Sequence, residues 1–587
     1  MFNRKHCLGL VAAGALLFAG TLTAQTPITS LPYDINVPGS YELTVDLIGT
    51  EGIIINSSQV SLDLGGHALL GAPGSGDAIW VRGPRVDIEV HNGSIAGWGG
   101  VGVASDDALN AKYRNLRISG NGQCGLRAGK GAVIENIEAQ HNGSVGLLGG
   151  DAVVMVDCAS TGNAGFGVVV GRGSVVKGLT VVQNGGGGIF AIDGCLIVRN
   201  AIADNGWNTS AVAESTDEYC FLSTLAGISI MGEGSHVEHN VLTGNTIGLQ
   251  LLDPKNSITR NVVKGSEPNY DIVPGNELDI LLSELPEAIL WPANVVVLGS
   301  LNGVAGEHGI VVAADGVTID LAGQTLHGVP GSLDGIHVLE DNSDAHKHSD
   351  LFVFGGGIEH WDGTGIQALK ANNVRAKDLL IEENGEYGIR TGLGAQITEC
   401  AILKNGDDGV RTGQDSLVQG VTSSFNAQDG FDLGNHTMIL DSVASENGLF
   451  GIRTGDGAMV RTCTASHNVL GISVEIGATV ADCTVSFNTE VGIRTRDNGY
   501  ILDNQCHANK SGIVVLSGSG TRVDGNNLTS NSFAGLNCIG TDNLMIRNSA
   551  HANGSDFLWS SPNAYGRIID VSGGMFTDDE PWANLRF

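Results

Sequence analysis

A 21-residue repeat constrains the fold of this chain more than any other feature of its sequence. The repeat is marked by Asn-Gly-x-x-Gly, or a close variant, followed by an apolar residue. The asparagines of one series are Asn121, Asn142, Asn163, Asn184 and Asn205, and those of a second are Asn384, Asn405, Asn426, Asn447 and Asn468. Both advance in steps of 21, and the second continues through Asn488, Asn509 and Asn531 in steps of 20 to 22. A spacing this regular indicates a repeat architecture.

Three repeat folds could use this period, and two of them conflict with the residues present. A coiled coil would place two glycines of every repeat in a helix, at a cost of about 1 kcal/mol each. Leucine-rich repeats require a Leu-x-x-Leu-x-Leu core, which these repeats lack. Segments such as Gly388–Thr391 instead alternate apolar and polar residues, as strands do. We therefore predict a parallel β-solenoid, in which the motif glycines adopt positive φ and the asparagines of successive turns hydrogen-bond in a ladder.

The cysteines are not arranged as a disulfide framework. The chain has 10, scattered along its length. Four of them occupy one position of the repeat, shortly before the asparagine, and these are Cys158, Cys400, Cys463 and Cys483. Because Ile137 and Val421 occupy the same position elsewhere, we predict an inward-facing stack in which the thiols are buried and free.

The chain also contains an internal duplication. Ser61–Gly66 resembles Thr318–Gly323. Trp98 and Trp361 stand at equal distances before the first asparagine of their series. We therefore predict two tandem modules. The first covers residues 25–290 and the second covers residues 291–587.

Residues 1–24 have the features of a secretory signal peptide. Arg4 and Lys5 precede an apolar run from Leu8 to Leu22, and cleavage is expected near Ala24. We therefore predict export to a secreted, periplasmic or cell-surface location. No later segment has about 18 uninterrupted apolar residues, so no membrane span is expected after signal cleavage. The formal net charge of −32 opposes encounter with nucleic acid, which is not an expected partner.

The repeats, the opening segment Leu62–Gly66 and the closing segment Pro581–Asn584 resemble those of the pectate-lyase-like superfamily, in particular its exported bacterial β-helix proteins. The resemblance covers nearly all of the mature chain. It implies an all-β fold, a right-handed parallel β-helix with one repeat in each rung. The superfamily includes polysaccharide lyases, glycosidases, mannuronan epimerases and noncatalytic proteins, so the resemblance points to glycans without fixing an activity.

One position of the second module carries charged residues in most repeats. It lies shortly after the second glycine of the motif and comprises Arg390, Arg411, Asp432, Arg453, Ser473 and Arg494. These side chains are predicted to face outward in a row, spaced about 4.8 Å per rung, which we call the arginine column. The same position of the first module holds Arg127, Leu148, Val169 and Phe190. A row of charged residues at this position is therefore specific to the second module.

The arginine column suggests a groove for an acidic polysaccharide, because arginine pairs with carboxylates and sugar units repeat at about the spacing of the rungs. A lyase or epimerase must remove the proton next to a uronate carboxyl group while that group is neutralised, by arginine or by a Ca²⁺ ion held by aspartates. We assign catalytic roles to Asp432, His436, Arg411 and Arg453. We assign substrate binding to Arg390, Arg494, Tyr387, Asp429, Asp407 and Asp408.

Other interpretations of the same residues stay open. Pairs of the aspartates could instead catalyse glycoside hydrolysis. Asp432, between Arg411 and Arg453, could also form a cross-rung ion-pair ladder with no catalytic role. The second hypothesis for the protein is therefore a noncatalytic β-helix that binds glycans or forms part of the cell surface.

Two stretches interrupt the repeat, at residues 208–224 and 340–350, and we predict that both are loops leaving the coil. The second contains His346, His348 and Asp350. His-x-His beside a carboxylate supplies ligands for a divalent metal, so this loop is a candidate metal site. The alternative is a flexible polar loop.

Overall fold

The computed structural model describes residues 25–208, 225–273, 275–339, 348–516, 518–571 and 580–587. Every regular element in these ranges is a β-strand, and the strands pair in parallel with partners one repeat away along the chain. The prediction of an all-β parallel solenoid is confirmed. Within these ranges there is no helix of sufficient length and apolarity to cross a bilayer. The predicted signal peptide lies outside the described residues.

The structure divides into two compact units. The first comprises Met1–Cys195 and Asn200–Ile228, and the second comprises Leu196–Arg199 and Ser229–Phe587. These units differ from the two modules predicted from the duplication. The module boundary at residue 290 rests on the sequence alone and stays a prediction.

Each regular turn contributes three short strands. From Glu287 onward, one of them joins the sheet that carries the arginine column, which we call the front sheet. In the second unit the front sheet consists of Glu287–Ile289, Ile310–Val312, Ile336–Val338, Ile366–Ala368, Ile389–Thr391, Val410–Thr412, Phe431–Leu433, Phe450–Thr454, Leu470–Ser473, Val491–Thr495, Ser511–Val515, Ala534–Cys538 and Phe557–Trp559. Earlier in the chain the corresponding strands form a separate sheet, which consists of Tyr33–Ile35, Ile53–Ile55, Ile79–Val81, Val103–Ser105, Leu126–Ala128, Leu147–Gly149, Phe166–Val170, Gly187–Ala191, Ala226–Ile230, Ile247–Leu251 and Tyr270–Ile272.

The other two strands of each turn stack in the same way on the remaining sides of the coil. In the most regular part of the second unit, one set consists of Gln396–Thr398, Leu417–Gln419, Met438–Leu440, Met459–Arg461, Thr479–Ala481 and Tyr500–Leu502. The other set consists of Ala401–Leu403, Thr422–Ser424, Val443–Ser445, Thr464–Ser466, Thr484–Ser486 and Gln505–His507.

Alternation of side chains in these strands builds the core. In Ile389–Thr391 the two ends are buried and Arg390 in the middle is half-buried, because successive side chains of a strand point to opposite faces. The isoleucine position is repeated by Val410, Phe431 and Ile452, all fully buried. Burial of each such side chain stabilises the fold by about 1.5–3 kcal/mol.

The predicted asparagine ladder is present. Asn405 Nδ2 donates to Asn426 Oδ1 over 3.0 Å, and the backbone N–H of Asn405 donates to the same oxygen, also over 3.0 Å. The same two bonds recur at each step from Asn384 to Asn553 in the second unit and from Asn121 to Asn205 in the first. Each buried side-chain oxygen thus satisfies two donors of the preceding turn.

The duplicated tryptophans begin these ladders. The backbone N–H of Trp361 donates to Asn384 Oδ1, and that of Trp98 donates to Asn121 Oδ1, each over 3.1 Å. Both rings are buried, and each indole N–H donates to a backbone carbonyl. The two tryptophans have equal spacing in the sequence because each one binds the first asparagine of its ladder.

The prediction that the motif glycines adopt positive φ is wrong. Neither Gly406 nor Gly409 has positive φ; the residue before the asparagine adopts it instead, as at Lys404 with φ of 55°. A Cβ atom on Gly406 would lie 2.1 Å from the carbonyl oxygen of Gly385 in the preceding turn. A Cβ on Gly409 would lie 2.6 Å from Asn426 Nδ2. Close approach of successive turns, rather than backbone conformation, requires glycine here.

The cysteine stack is also as predicted. Cys158, Cys400, Cys463 and Cys483 are buried and free, and burial raises the pKa of the Cys400 thiol to about 11. In later turns the same position is occupied by asparagines, which sequence reasoning missed. Asn504 donates to Asn526 and Asn526 donates to Asn548, each over 2.9 Å. In the described part of the second unit, asparagine ladders therefore occupy two positions of the repeat.

Candidate functional site

The register of the front sheet places the arginine column as the sequence suggested. Successive partners along it are Arg390 with Arg411, Arg411 with Asp432, Asp432 with Arg453, Arg453 with Ser473, and Ser473 with Arg494. The four arginines and Asp432 are half-buried. Adjacent members are one rung apart, which is about 4.8 Å.

Arg453 is the most heavily paired member of the column. Its Nη2 lies 2.7 Å from Asp432 Oδ2, and its Nε lies 3.0 Å from Asp429 Oδ2. Asp429 is buried, with a side-chain exposure of 3%, so Arg453 neutralises a charge that water hardly reaches. Arg411 approaches Asp432 from the other side, at 3.4 Å. The predicted ion-pair ladder is therefore present at the centre of the column.

Three carboxylates, Asp408, Asp429 and Asp432, converge beneath these arginines with an oxygen of each within 4.8 Å of the others. Backbone N–H groups hold two of them: Asp429 N–H donates to Asp408 Oδ1 over 2.9 Å, and Phe450 N–H donates to Asp429 Oδ1 over 3.0 Å. Burial, together with the neighbouring carboxylates, raises the pKa of Asp408 to about 6. Burial also raises the pKa of Asp429, against the attraction of Arg453.

The carboxylate cluster has oxygen donors of the kind that Ca²⁺ prefers. Arg453 and Arg411 nevertheless already pair with carboxylate oxygens of Asp429 and Asp432. Neutralisation by arginine fits this arrangement better than a resident calcium ion does.

Aromatic rings flank the column and hold its arginines in place. The Arg390 guanidinium lies 4.7 Å from the centre of the Tyr387 ring, and Arg411 Nη1 donates to Tyr387 Oη over 3.3 Å. Burial raises the pKa of Tyr387, and the nearby Asp407 raises it further. Farther along, Arg494 lies 5.2 Å from the centre of the Phe450 ring. Stacking on an aromatic face restricts a guanidinium while leaving its edge available for hydrogen bonds.

The two ends of the column differ from its centre. Within the described parts of the chain, neither Arg390 nor Arg494 forms an ion pair within 4.0 Å; Arg494 Nε instead donates to Ser473 Oγ over 3.0 Å. Arg390 Nε is buried and has no hydrogen-bond partner. The end arginines are therefore the members of the column that form no ion pair within 4.0 Å among the described residues.

His436 lies apart from the rest of the predicted catalytic set. It follows strand Phe431–Leu433 in an exposed turn, where its Nδ1 is 3.6 Å from Asp415 Oδ1. Its described contacts therefore place it beside Asp415 in the turn and not in the carboxylate cluster.

The predicted loop site is only partly within the described residues. His346 lies outside them. His348 Nδ1 is 3.5 Å from Asp315 Oδ1, whereas Asp350 Oδ1 accepts a hydrogen bond from Asn373 over 3.4 Å. The structure thus gives His348 and Asp350 separate partners, and a joint metal site in this loop stays a prediction.

Sequence reasoning missed a cluster of His308, Asp334 and His337 on the same sheet. Asp334 Oδ2 lies 3.3 Å from His308 Nδ1 and 2.8 Å from His337 Nδ1. His337 pairs with Gln367, which pairs with Arg390, so this cluster continues the line of the arginine column. The turns here, in which His337 follows its partner Val311 and precedes Gln367, are longer than the regular repeat. The repeat therefore gave no signal for the cluster.

A separate concavity lies near the closing Pro-Trp-Ala-Asn segment of the second unit. It has a volume of about 430 Å³ and is lined by Tyr565 and Trp582 together with Arg522 and Arg567. Aromatic and guanidinium groups in one pocket suit a planar or anionic ligand.

Solved structures that match the chain include polysaccharide-active enzymes. The A-module of the Azotobacter vinelandii mannuronan C-5 epimerase AlgE6 shares 13% identity over 53% of this chain and 89% of its own, with a TM-score of 0.36. The periplasmic alginate epimerase AlgG shares 11% identity over 67% of this chain and 83% of its own, with a TM-score of 0.24. The catalytic domain of a GH87 alpha-1,3-glucanase in complex with nigerose shares 13% identity over 48% and 61%, with a TM-score of 0.25. At these values the likeness carries no argument about activity.

No curated protein matches the chain. A family match does exist, to the family described as "Right handed beta helix region", over residues 77–267 and 410–550. These two segments make up more than half of the chain and include most of the repeats. They contain the front-sheet strands around Arg411, Asp432 and Arg453. The chain belongs to the right-handed β-helix family.

Proposed function

We propose that the front sheet of the second unit binds an acidic polysaccharide along the arginine column. The observation that carries the proposal is the pair of half-buried arginines, Arg390 and Arg494, which form no ion pair within 4.0 Å among the described residues. Five rungs separate them, about 24 Å, a distance that several units of a glycan chain would span. Carboxylates of a uronate polymer would supply the missing partners in bidentate geometry.

The centre of the column contributes less to binding than its ends. Arg411 and Arg453 lie beside three carboxylates, those of Asp408, Asp429 and Asp432, so the centre has no excess of positive charge to attract an acidic polymer. Affinity would then come from the ends and specificity from the spacing between them. Binding at an exported location, which the sequence of residues 1–24 suggests, belongs to the same proposal.

A second candidate function is modification of the bound polymer by a lyase or an epimerase. Asp408 favours it, because a buried carboxyl group with a pKa of about 6 can exchange a proton near neutral pH. Tyr387, next to Arg411 and Asp407, supplies a second proton-transfer group beside a cation. This candidate uses Asp408 and Tyr387 in place of His436, because His436 contacts Asp415 in the turn.

Binding is tested by calorimetric titration of the purified protein with alginate, polygalacturonate and chondroitin sulfate, and with neutral dextran. We expect an acidic polymer to bind, and the Arg390→Ala/Arg494→Ala double variant to bind it at least tenfold more weakly, since about 1.4 kcal/mol corresponds to tenfold. Arg461→Ala is the matched control, because Arg461 is an exposed arginine on another strand set, paired with Asp482 at 3.0 Å. Equal binding of dextran, or equal losses in control and double variant, would refute the proposal.

Modification is tested separately. Unsaturated products are detected by ultraviolet absorbance and altered uronate stereochemistry by NMR. We expect Asp408→Asn and Tyr387→Phe to lose turnover while binding is retained. Binding by the wild-type protein with no product of either kind would leave the first proposal standing and remove the second.

A further inference from the structure

We propose that His308, Asp334 and His337 form a binding site for a divalent transition-metal ion of the zinc class. The three residues come from two neighbouring turns of the second unit, and one potential ligand atom of each lies within 4.8 Å of the others. The proposal concerns these residues alone and does not depend on glycan binding.

The spacing of the ligand atoms fits a small metal ion. Asp334 Oδ2 lies 3.3 Å from His308 Nδ1 and 2.8 Å from His337 Nδ1. With zinc–nitrogen and zinc–oxygen bonds of about 2.0–2.1 Å, two ligand atoms of a tetrahedral site are about 3.3 Å apart. One contact matches this separation and the other would open by about half an ångström.

The hydrogen bonds place two acceptors against each other. The backbone N–H of Asp334 donates to His308 Nδ1 over 3.1 Å, so this nitrogen carries no proton. Its neighbour Asp334 Oδ2 is a carboxylate oxygen, which also accepts and cannot donate. Two acceptors 3.3 Å apart with no proton between them repel each other. A cation that takes over the lone pair of Nδ1 from the backbone N–H would convert this contact into coordination.

Surrounding groups fix the carboxylate in this orientation. The backbone N–H of Thr364 donates to Asp334 Oδ1 over 2.7 Å, which leaves Oδ2 for the histidines. The adjacent Gly363 is needed for this approach, since a Cβ atom there would lie 2.4 Å from Asp334 Oδ1. Such outer hydrogen bonds are typical of metal ligands held in a fixed geometry.

The two histidines lie side by side with access to solvent. Their rings stack at a centroid distance of 4.0 Å. Their side chains are 25% and 20% exposed, so water or a ligand carboxylate could complete the coordination shell. Two nitrogens and one carboxylate oxygen with open positions suit zinc and its neighbours better than Ca²⁺ or Mg²⁺.

The test is a calorimetric titration of untagged, chelator-treated protein with Zn²⁺, together with visible absorbance on adding Co²⁺. We expect one saturable equivalent, weakened at least tenfold in His308→Gln, in His337→Gln and in Asp334→Asn. His327→Gln is the matched control, because His327 belongs to a second, more exposed His–Glu–His group in which its Nδ1 is 2.9 Å from Glu359 Oε1. That variant should retain the site.

Asp334→Asn is also expected to fold normally, because the side-chain oxygen of asparagine can still accept the hydrogen bond from the Thr364 N–H. Circular dichroism and the thermal midpoint confirm that each variant is folded. Absence of saturable Zn²⁺ binding in the wild-type protein would overturn the proposal. So would binding that survives in the His308 and His337 variants, or loss of the site in His327→Gln instead.

Discussion

The outward position of the front sheet differs in character from the same position of the corresponding sheet in the first unit. After Arg127, that position holds Leu148, Val169 and Phe190, which are only 8%, 2% and 2% exposed. They form one apolar cluster with residues of adjacent turns, including Phe166, whose ring lies 5.7 Å from that of Phe190. In the second unit the same position carries half-buried arginines above buried carboxylates.

The difference shows that the repeat specifies the inside of the coil and leaves its outside free. The inward apolar stack, the asparagine ladder and the close-packed glycines are common to both units. Nothing in that scaffold restricts the side chain that points away from it. A charged column and an apolar cluster can therefore be built on one backbone, and a function can be carried by one unit alone.

The largest expected effect comes from breaking the scaffold that the two units share. Asn163 and Asn426 are matched: each side-chain oxygen accepts two bonds from the preceding asparagine, and each Nδ2 lies 3.0 Å from the hydroxyl of a nearby serine. Alanine at either position leaves two buried donors of the preceding asparagine without an acceptor. We therefore expect the free energy of unfolding to fall by about 4 kcal/mol.

Urea denaturation followed by circular dichroism measures both losses, with the exposed Gln414→Ala as control. A difference of more than about 2 kcal/mol between the two variants would contradict a common scaffold.

The next effect comes from transplanting the charge of one unit into the other. Val169→Arg places a guanidinium at a position that is 2% exposed, and we expect destabilisation of about 3 kcal/mol because the charge has no partner there. Val169→Ala separates this from simple loss of packing and should cost less, about 1–2 kcal/mol. If the arginine were tolerated in urea denaturation, the apolar cluster would not be a packed core.

A smaller effect is expected from removing the central cation of the arginine column. Arg453→Ala leaves Asp429 and Asp432 without their closest cation, and we expect a loss of about 2 kcal/mol from the carboxylate repulsion that follows. Arg494→Ala, which removes an arginine without a carboxylate partner, should change the unfolding midpoint little. Equal effects of the two substitutions would show that pairing within the column is unimportant for stability.

The last expected effect depends on pH and sharpens the electrostatic side of the comparison. The folded-state pKa of Asp408, about 6, exceeds its ordinary value near 3.8, so folding favours the protonated form. Its contribution to stability is present below about pH 4 and is lost as the pH rises through 6. Asp408→Asn keeps the acceptor for Asp429 N–H and removes the titration, so at pH 7 it should be more stable than wild type, by at most about 3 kcal/mol.

The advantage of Asp408→Asn should disappear at pH 4, and urea midpoints across this pH range measure it. Asp415→Asn, at an exposed carboxylate, provides the control. An advantage that is independent of pH would mean that packing, and not ionisation, explains the change.

Sequence reasoning predicted those parts of the structure that repeat. The spacing of Asn405 and Asn426 determined the turn length, the ladder and the register of the arginine column, because each depends on one residue contacting its equivalent in the next turn. It misassigned the motif glycines because a sequence shows that glycine is required but not whether φ or close approach requires it.

The parts that sequence reasoning missed depend on irregular turns or on side-chain rotamers. His308, Asp334 and His337 meet across turns that are longer than the repeat and unequal to each other, which no fixed period aligns. His436 follows Asp432 closely in sequence, yet a turn separates its contacts from the column. Local sequence distance is a poor guide to contact wherever the chain leaves the strand.

The asparagine ladder of the second unit also gives the coil an electrical polarity. Every side-chain amide from Asn384 to Asn531 donates toward the later turn, so the small dipoles add along the axis and polarise one another. The donor end is partially positive, and there Asn553 Nδ2 donates to the Asp556 carboxylate over 3.0 Å. A negative charge thus closes the row at the end where it is most favourable, much as an aspartate does at the first turn of a helix.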